Sequence, residues 1–316
     1  GVSTVEDVGK GRSVIVEYSA PNIAKPMSVG HLRSTIIGDG LARVHKALGY
    51  DVVRWNYIGD WGTQFGKLIA AWRRYGGADQ EVTIANLTAL YVKFHKEEEE
   101  NAELATLGQQ EFRKLEDGDA ENLKLWELFR NKSLAEFSRM YDRLGVQFDV
   151  IKGESSYQAQ IAPTVQSMKS IVTASEGAVV VMLDEYGLPP ALVQKSDGSS
   201  IYIVRDVASL QDRISQYHPS RILYVVGNEQ SLHFEQLFAI KDKLKLGATE
   251  TVHVKFGLVL GEDGKKFSTR KGNTILLEDL MNELAVLTTS IVAAKNPSLS
   301  QEEVVRTAEA VAVAAL

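Results

Sequence analysis

Cysteine is absent from this 316-residue chain. That excludes disulfides and thiolate metal sites, and it fits a reducing compartment such as the cytosol. No apolar run approaches the roughly 18 residues that a membrane-spanning helix needs. Residues 1–7 have neither a basic start nor an apolar stretch, so no secretory signal is expected there. Positive charge is not in excess either: 35 Lys and Arg face 41 Asp and Glu, a formal charge of −6. A nucleic-acid partner would then need a local basic face, not the field of the whole molecule. The six histidines are scattered without ligand spacing, so no bound metal is expected from them.

What is present is ordinary globular composition, 44% hydrophobic and 24% charged, enough for one large α/β domain with an insertion, or for two domains. The chain lacks an initiator methionine and stops within an alanine-rich helical pattern at 302–316. It reads as a piece of a longer protein.

Ser13-Val-Ile-Val-Glu-Tyr18 has the β-branched character of a buried strand. Two prolines keep Ser19-Ala-Pro-Asn-Ile-Ala-Lys-Pro26 non-helical. From Val29 onward Leu32, Ile36, Ile37, Leu41, Val44 and Leu48 recur at helical steps, which predicts their stripe as the buried face. Gly49 is a stop, and 51–58 reads as a second strand. The second half repeats the pattern: a strand at 221–226, a helix carrying Leu232, Leu237, Phe238, Ile240 and Leu244, and a strand at 252–260. Two such crossovers predict an α/β fold with a doubly wound parallel sheet that binds a nucleotide. The intervening stretch reads as a largely helical insertion. Within it Glu97 to Glu100 are expected to be a solvated face. Leu123, Trp126, Phe129, Leu134, Phe137, Met140, Tyr141 and Leu144 are expected to be core, and 178–183 a strand. The expected division is 1–75, first half of the nucleotide-binding domain; 76–190, connective insertion; 191–280, second half; and 281–316, the start of a C-terminal helical domain.

Two segments carry phosphate chemistry. Pro26-Met-Ser-Val-Gly-His31 follows a strand and opens a helix, where Gly30 permits close backbone approach and free N–H groups meet an anion. His31 could donate to a phosphate oxygen, although a structural cap explains it equally well. Gly261-Glu-Asp-Gly-Lys-Lys-Phe-Ser-Thr-Arg-Lys-Gly272 gathers Lys265, Lys266, Arg270 and Lys271 on a glycine-rich loop, suited to gripping a polyphosphate in the transition state. A solvent-exposed basic turn is the plain alternative.

Together these segments resemble the two signatures of class I aminoacyl-tRNA synthetases. Ser28-Val-Gly-His31 is similar to the His-x-Gly-His signature, and Lys266-Phe-Ser-Thr-Arg270 to the Lys-Met-Ser-Lys-Ser loop. The arginyl branch matches best, through Ser19 to Pro26, Gly30-His-Leu-Arg-Ser-Thr-Ile-Ile-Gly38, Asn56-Tyr-Ile-Gly-Asp-Trp-Gly-Thr-Gln-Phe-Gly66, Ile201-Tyr-Ile-Val-Arg-Asp206 and Phe267-Ser-Thr-Arg-Lys-Gly272. Two departures stand out. Ser28 replaces the first signature histidine and has shorter reach and no imidazolium charge. Thr269 replaces the second loop lysine, leaving Lys266 and Lys271 as candidates for its work.

The resemblance implies a Rossmann-like, HUP-type domain that activates L-arginine with ATP and transfers it to tRNA(Arg). Magnesium would arrive with ATP, and the protein would act as a cytoplasmic monomer. It implies catalytic roles for His31, Lys266 and Lys271. It implies ATP contacts for Ser28, Gly30, His31, Gly227, Asn228, His233, Lys266 and Ser268. Arginine contacts fall to Glu17, Asn22, Ser28, Tyr202, Asp206 and Gln230. A guanidinium has donors only and is best held by acidic oxygens, which suits Glu17 and Asp206. Locally, Asp206 also reads as a helix N-cap before 207–217, and Tyr202 as strand packing. Asp60, Trp61 and Gln64 are expected to line the pocket wall. The rival readings are a coenzyme nucleotidyltransferase on the same sheet and a non-catalytic paralogue that binds arginine.

Overall fold

Val14, Ile15 and Val16 have no solvent exposure, as expected of a strand covered on both faces. They lie on the first of eight strands found in the computed structural model, which describes residues 6–76, 81–195, 202–257 and 275–316, with Tyr202 by its backbone alone. The strands are β1 (Ser13–Glu17), β2 (Asp51–Asn56), β3 (Val150–Ile151), β4 (Val172–Ser175), β5 (Ala178–Val181), β6 (Ala191–Gln194), β7 (Arg221–Gly227) and β8 (Glu250–Phe256). The helices are α1 (Val29–Ala47), α2 (Thr63–Tyr75), α3 (Ile84–Glu98), α4 (Ala102–Glu116), α5 (Ala120–Leu144), α6 (Ile161–Ser167), α7 (Tyr202–Tyr217), α8 (Ser231–Lys243), α9 (Leu277–Lys295) and α10 (Gln301–Ala314). The chain divides into two compact units. Unit 1 is Gly1–Ala20, Arg33–Gly59 and Phe148–Leu258; unit 2 is Pro21–Leu32, Asp60–Gln147 and Val259–Leu316.

Unit 1 holds the five-stranded sheet, in the order β3-β2-β1-β7-β8, every pairing parallel. The doubly wound sheet expected from the two crossovers is therefore present. Its strand order reverses between β1 and β7, and in open α/β sheets ligands sit beyond the carboxyl ends of the strands at such a point. Glu17 ends β1 and Gly227 ends β7. The strand expected at 51–58 ends at Asn56, and that expected from 252 begins at Glu250 and ends at Phe256. The expected strand at 178–183 is β5, the centre of an antiparallel β4-β5-β6 meander. One apolar cluster joins Ile15, Trp55, Val193, Val204, Leu210, Ile222 and Leu237.

Helix α1 departs from expectation. Val44, on the predicted apolar stripe, is 54% exposed, and Ile36, Ile37 and Leu41 are only partly buried. The buried face is the small and polar one: Ser34, Thr35, Gly38, Asp39 and Ala42. Its hydroxyls are satisfied by hydrogen bonds. Ser34 Oγ donates to the Val225 carbonyl at 2.6 Å and accepts from the Ser19 amide at 2.9 Å, and Thr35 Oγ1 donates to Ser19 Oγ at 2.9 Å. At Gly38 the helix lies against Tyr18, and a Cβ there would overlap the Cβ and ring of that tyrosine. Close approach selects small residues, which an apolar count does not register.

Unit 2 is helical. Phe129, Phe137, Met140, Tyr141 and Leu144 of the α5 stripe are buried, as expected. The acidic run differs from its expected solvation. Glu99 and Glu100 are exposed, but Glu98 takes an ion pair from Lys67 at 2.6 Å and Glu97 accepts from the Tyr75 hydroxyl. No helix among the described residues is long and apolar enough to cross a membrane.

The α1 contact has a measurable consequence. Gly38→Ala is expected to lower stability by about 1–3 kcal/mol through overpacking. Gly40→Ala, two residues on in the same helix and facing open space, should raise it by about 0.5–1 kcal/mol. Guanidinium unfolding midpoints of the two variants check both signs.

Candidate active site

The end of β1 delivers Glu17 into an aromatic, nearly closed environment within unit 1. Its side chain is 6% exposed, and Oε2 lies 2.5 Å from Nη2 of Arg213 on α7. The contact is an ion pair and not an aligned hydrogen bond, since neither Oε2 nor Arg213 Nε and Nη1 has a hydrogen-bond partner. The Arg213 guanidinium also stands over the rings of Trp55 at 4.5 Å, Tyr57 at 5.4 Å and Tyr224 at 5.5 Å. Burial pushes the Glu17 carboxyl up from the usual range, against the downward pull of Arg213, while the nearby Asp206 charge adds to the rise. Burial alone would weaken the Arg213 cation, but Glu17 together with Tyr224, Tyr157 and Tyr57 outweighs it and raises its pKa.

Asp206 belongs to the same cluster. Helix α7 starts at Tyr202, so Asp206 lies within the helix and is not the N-cap expected of it. Residues 202 and 206 are one helical turn apart. Asp206 Oδ2 lies 2.7 Å from Nε2 of His233. Burial pulls the His233 pKa down, but the hydrogen bond and charge of Asp206 prevail and raise it. His233, expected at the nucleotide, is thus joined to an acid expected at the guanidinium.

The chain leaves β1 through two consecutive left-handed residues that are not glycine, Ser19 (φ 73°) and Ala20 (φ 48°). Asn56 Oδ1 accepts from the Ala20 amide at 3.1 Å. Beyond β7, Gly227 is buried and leads into a 3-10 turn, Asn228–Gln230, at the start of α8. Asn228 and Gln230 are exposed there. A Cβ at 227 would meet only the Glu229 carboxylate, the end of an exposed and flexible side chain, so space alone does not demand glycine there.

In unit 2, Ser28 and His31 form a unit of their own at the start of α1. His31 Nδ1 accepts from the Ser28 amide at 3.0 Å and lies 3.1 Å from Ser28 Oγ. That acceptance leaves the ring proton on Nε2. Burial, aided by the Lys25 charge, lowers the His31 pKa to about 4, so the ring is neutral near pH 7. The signature loop is also tied to the segment that follows the basic loop. Ser28 bridges Leu276, the Val29 amide donates to Ile275 at 3.2 Å, and the Leu277 amide donates to Met27 at 2.9 Å. In unit 1, Arg33 Nη1 donates to the Gly257 carbonyl at 2.6 Å, just before that loop. Asn22 is exposed and Gly30 lies exposed in the first turn.

Lys266, Ser268 and Lys271, and the side chain of Tyr202, lie outside the described residues. Asp60 is fully buried and ion-paired to Arg130 at 3.0 Å, while its carbonyl accepts from Trp126 Nε1 at 2.7 Å. Trp61 packs edge-on against Phe112 and Trp126. These are helix-fastening contacts within unit 2. Sequence reasoning missed Arg213. The signal was its spacing: it falls three residues after Leu210 and six after Val207, in step with the buried face of α7.

Residues 3–316 match the family described as tRNA synthetases class I (R), catalytic domain. An arginine--tRNA ligase of Clostridium perfringens is 49% identical over 304 residues, covering 94% of this chain and 53% of its own length. Arginine--tRNA ligase 2 of Bacillus anthracis is 46% identical over 308 residues, 94% of this chain and 55% of its own. The solved structure of the Plasmodium falciparum arginyl-tRNA synthetase superposes with a TM-score of 0.79 at 28% identity, over 99% of this chain and 53% of that one. The chain spans about half the length of these curated relatives. With the parallel sheet, the Ser28–His31 turn and the acids at the β1 end already in place, the match identifies the chain as a member of the class I tRNA synthetases, in their arginyl branch, spanning the catalytic domain.

Proposed function

We propose that this chain activates L-arginine with ATP to arginyl-adenylate and passes it to the 3′ end of tRNA(Arg), working in the cytosol. The observation that carries this reading is the pair of acids at the carboxyl end of the sheet. Glu17 and Asp206 sense one another electrically, and each already faces a basic side chain of the protein itself, Arg213 and His233. A site built to balance cations against two carboxylates suits a guanidinium, whose donors need anionic acceptors. It has no evident use for a pantetheine phosphate or a nicotinamide mononucleotide, the substrates of the nucleotidyltransferase alternative. Tyr202, Asn22, Gln230 and Ser28 complete the proposed arginine contacts.

In the proposed reaction the arginine carboxylate attacks the α-phosphorus of ATP and pyrophosphate leaves. A terminal ribose hydroxyl of the tRNA then attacks the adenylate carbonyl, and AMP leaves. Catalysis is positioning and stabilisation of phosphoryl charge. Gly30 and the α1 amides offer N–H groups, His31 donates as a neutral hydrogen-bond donor, and Lys266 and Lys271 supply positive charge. Gly227, Asn228, His233 and Ser268 are proposed at the nucleotide. Magnesium would enter with ATP, whose phosphates are its natural ligands.

Two measurements test the reading. Pyrophosphate exchange into ATP, with a tRNA(Arg) transcript present, should depend on arginine, and Asp206→Asn should reduce it by about 10²-fold or more. Exchange driven instead by pantetheine phosphate would overturn the assignment, and tight arginine binding without exchange would favour the non-catalytic paralogue. Second, because His31 is neutral near pH 7, the exchange rate should show no titration of this residue between about pH 6 and pH 8. His31→Ala should lose about 10²- to 10³-fold, and His31→Gln, which retains a donor, distinctly less.

A further inference from the structure

A carboxylate that must meet a substrate cation has to be ionised, and Glu17 lies where ionisation is costly. It is 4% exposed, and its partner Arg213 stands over three aromatic rings. We infer that Arg213 is a positioning residue of the arginine pocket: its buried guanidinium, seated on Trp55, Tyr57 and Tyr224, holds Glu17 as a carboxylate with one oxygen engaged and the other left for the incoming guanidinium. The inference rests on Glu17 being an arginine-binding acid.

Three observations carry it. Arg213 itself is 1% exposed, the most deeply buried cation among the described residues of unit 1, so its charge is little screened by water. Only Nη2 meets Glu17, while Nε and Nη1 have no hydrogen-bond partner. Such a cation is under-satisfied by ordinary structural standards, and buried polar groups are normally paired. Its rings hold it by their faces, which fixes position without competing for the carboxylate's lone pairs. A carboxylate accepts through two oxygens, so one cation does not exhaust it. The arrangement places a resident guanidinium on one side of Glu17, and leaves recognition of a second one to Glu17 with Asp206.

The charged and titratable groups facing Glu17 come from every neighbouring element. They are Arg213 and Asp206 on α7, His233 on α8, Tyr224 on β7 and Tyr57 after β2, while Tyr157, on the turn before α6, faces Arg213. Arg213 is the one permanent cation among these. Asp206 disfavours a charged Glu17, and the tyrosines are held neutral by burial. His233 is committed to Asp206. Removing Arg213 therefore leaves Glu17 with burial and like charge, the conditions under which buried glutamates reach a pKa of roughly 8–9.

The test follows the Glu17 carboxyl and arginine affinity together in the 316-residue chain. Carbon-13 labelling of glutamate, with Glu17→Gln to assign the resonance, reads the ionisation of Glu17 directly. Calorimetry with L-arginine and ATP reads affinity at about pH 7 and about pH 9. In Arg213→Met, Glu17 should be protonated at about pH 7, and arginine should bind about 30-fold more weakly than to the unaltered chain, a deficit that shrinks towards alkaline pH as Glu17 ionises. Arg213→Lys, which restores a cation without the planar fork, should return Glu17 to its ionised form and recover most of the affinity. It also keeps the test open should the methionine variant not fold. A Glu17 still ionised at about pH 7 in Arg213→Met, or Glu17 protonated in Arg213→Lys as well, would overturn the inference. So would a loss of affinity equal at both pH values, which is the mark of a merely structural role. If the unaltered chain binds no arginine at all, the proposed substrate fails, while the carboxyl titration still decides what Arg213 does to Glu17.

Discussion

The contact of Gly38 with Tyr18 governs where everything on unit 1 can go. Because position 38 has no side chain, α1 settles directly on the residue that follows β1. The hydroxyls of Ser34 and Thr35 then reach Val225 and Ser19 and fasten the helix to both strands that flank the switch point. Only with this floor rigid can the chain turn away from Glu17 through two left-handed non-glycine residues. Each such residue costs about 1–2 kcal/mol. Hydrogen bonds of about 1 kcal/mol each, from Ser19 to Ser34 and from Ala20 to Asn56, offset much of that cost. Local strain beside Glu17 is therefore sustained by tertiary contacts, as strain at functional sites must be.

Much of this was legible in the sequence, for identifiable reasons. The strands could be read because a parallel strand buried on both faces reads as a near-continuous hydrophobic run, and 14–16 and 222–226 are such runs. The Ser28–His31 turn at the start of α1 could be read because its residues are neighbours in sequence and share one helix start. The buried face of α1 was misread because close packing chooses Ser34, Thr35 and Gly38, while the apolar residues look outward in part. Glu98 and Asp60 were read as solvated or as pocket wall because an acid's partner is not visible locally; Lys67 and Arg130 lie far along the chain. Arg213 was hidden for the same reason. Its rhythm within α7 was available, but its partner Glu17 comes from the other end of unit 1.

The Glu17–Arg213 pair also bears on why the site is charged at all. Breaking one partner of a buried ion pair typically costs about 3–5 kcal/mol, yet replacing both by apolar residues is often neutral or stabilising. Stability alone would thus be served by two hydrophobic residues in this aromatic setting. An ion pair there is better explained by what the acid does than by what the pair contributes to folding. The same reasoning separates it from Lys67–Glu98 and Asp60–Arg130, which join helices of unit 2 and need no ligand to account for them.

The two histidines near the proposed chemistry are pushed in opposite directions, and separated pKa values mark divided roles. His31, partly buried and accepting a hydrogen bond from Ser28, stays neutral near pH 7 and offers a proton from Nε2 without adding charge. His233, bound to Asp206, is raised and holds its proton more firmly than a free imidazole. The raised group has a definite sign: its interaction with Asp206 is complete below the ordinary histidine pKa and fades as pH rises through the higher folded value. On the proposed reading, a guanidinium arriving at Asp206 meets a carboxylate whose Oδ2 already lies 2.7 Å from His233 Nε2, so the histidine keeps the acid from standing unpaired before the substrate binds.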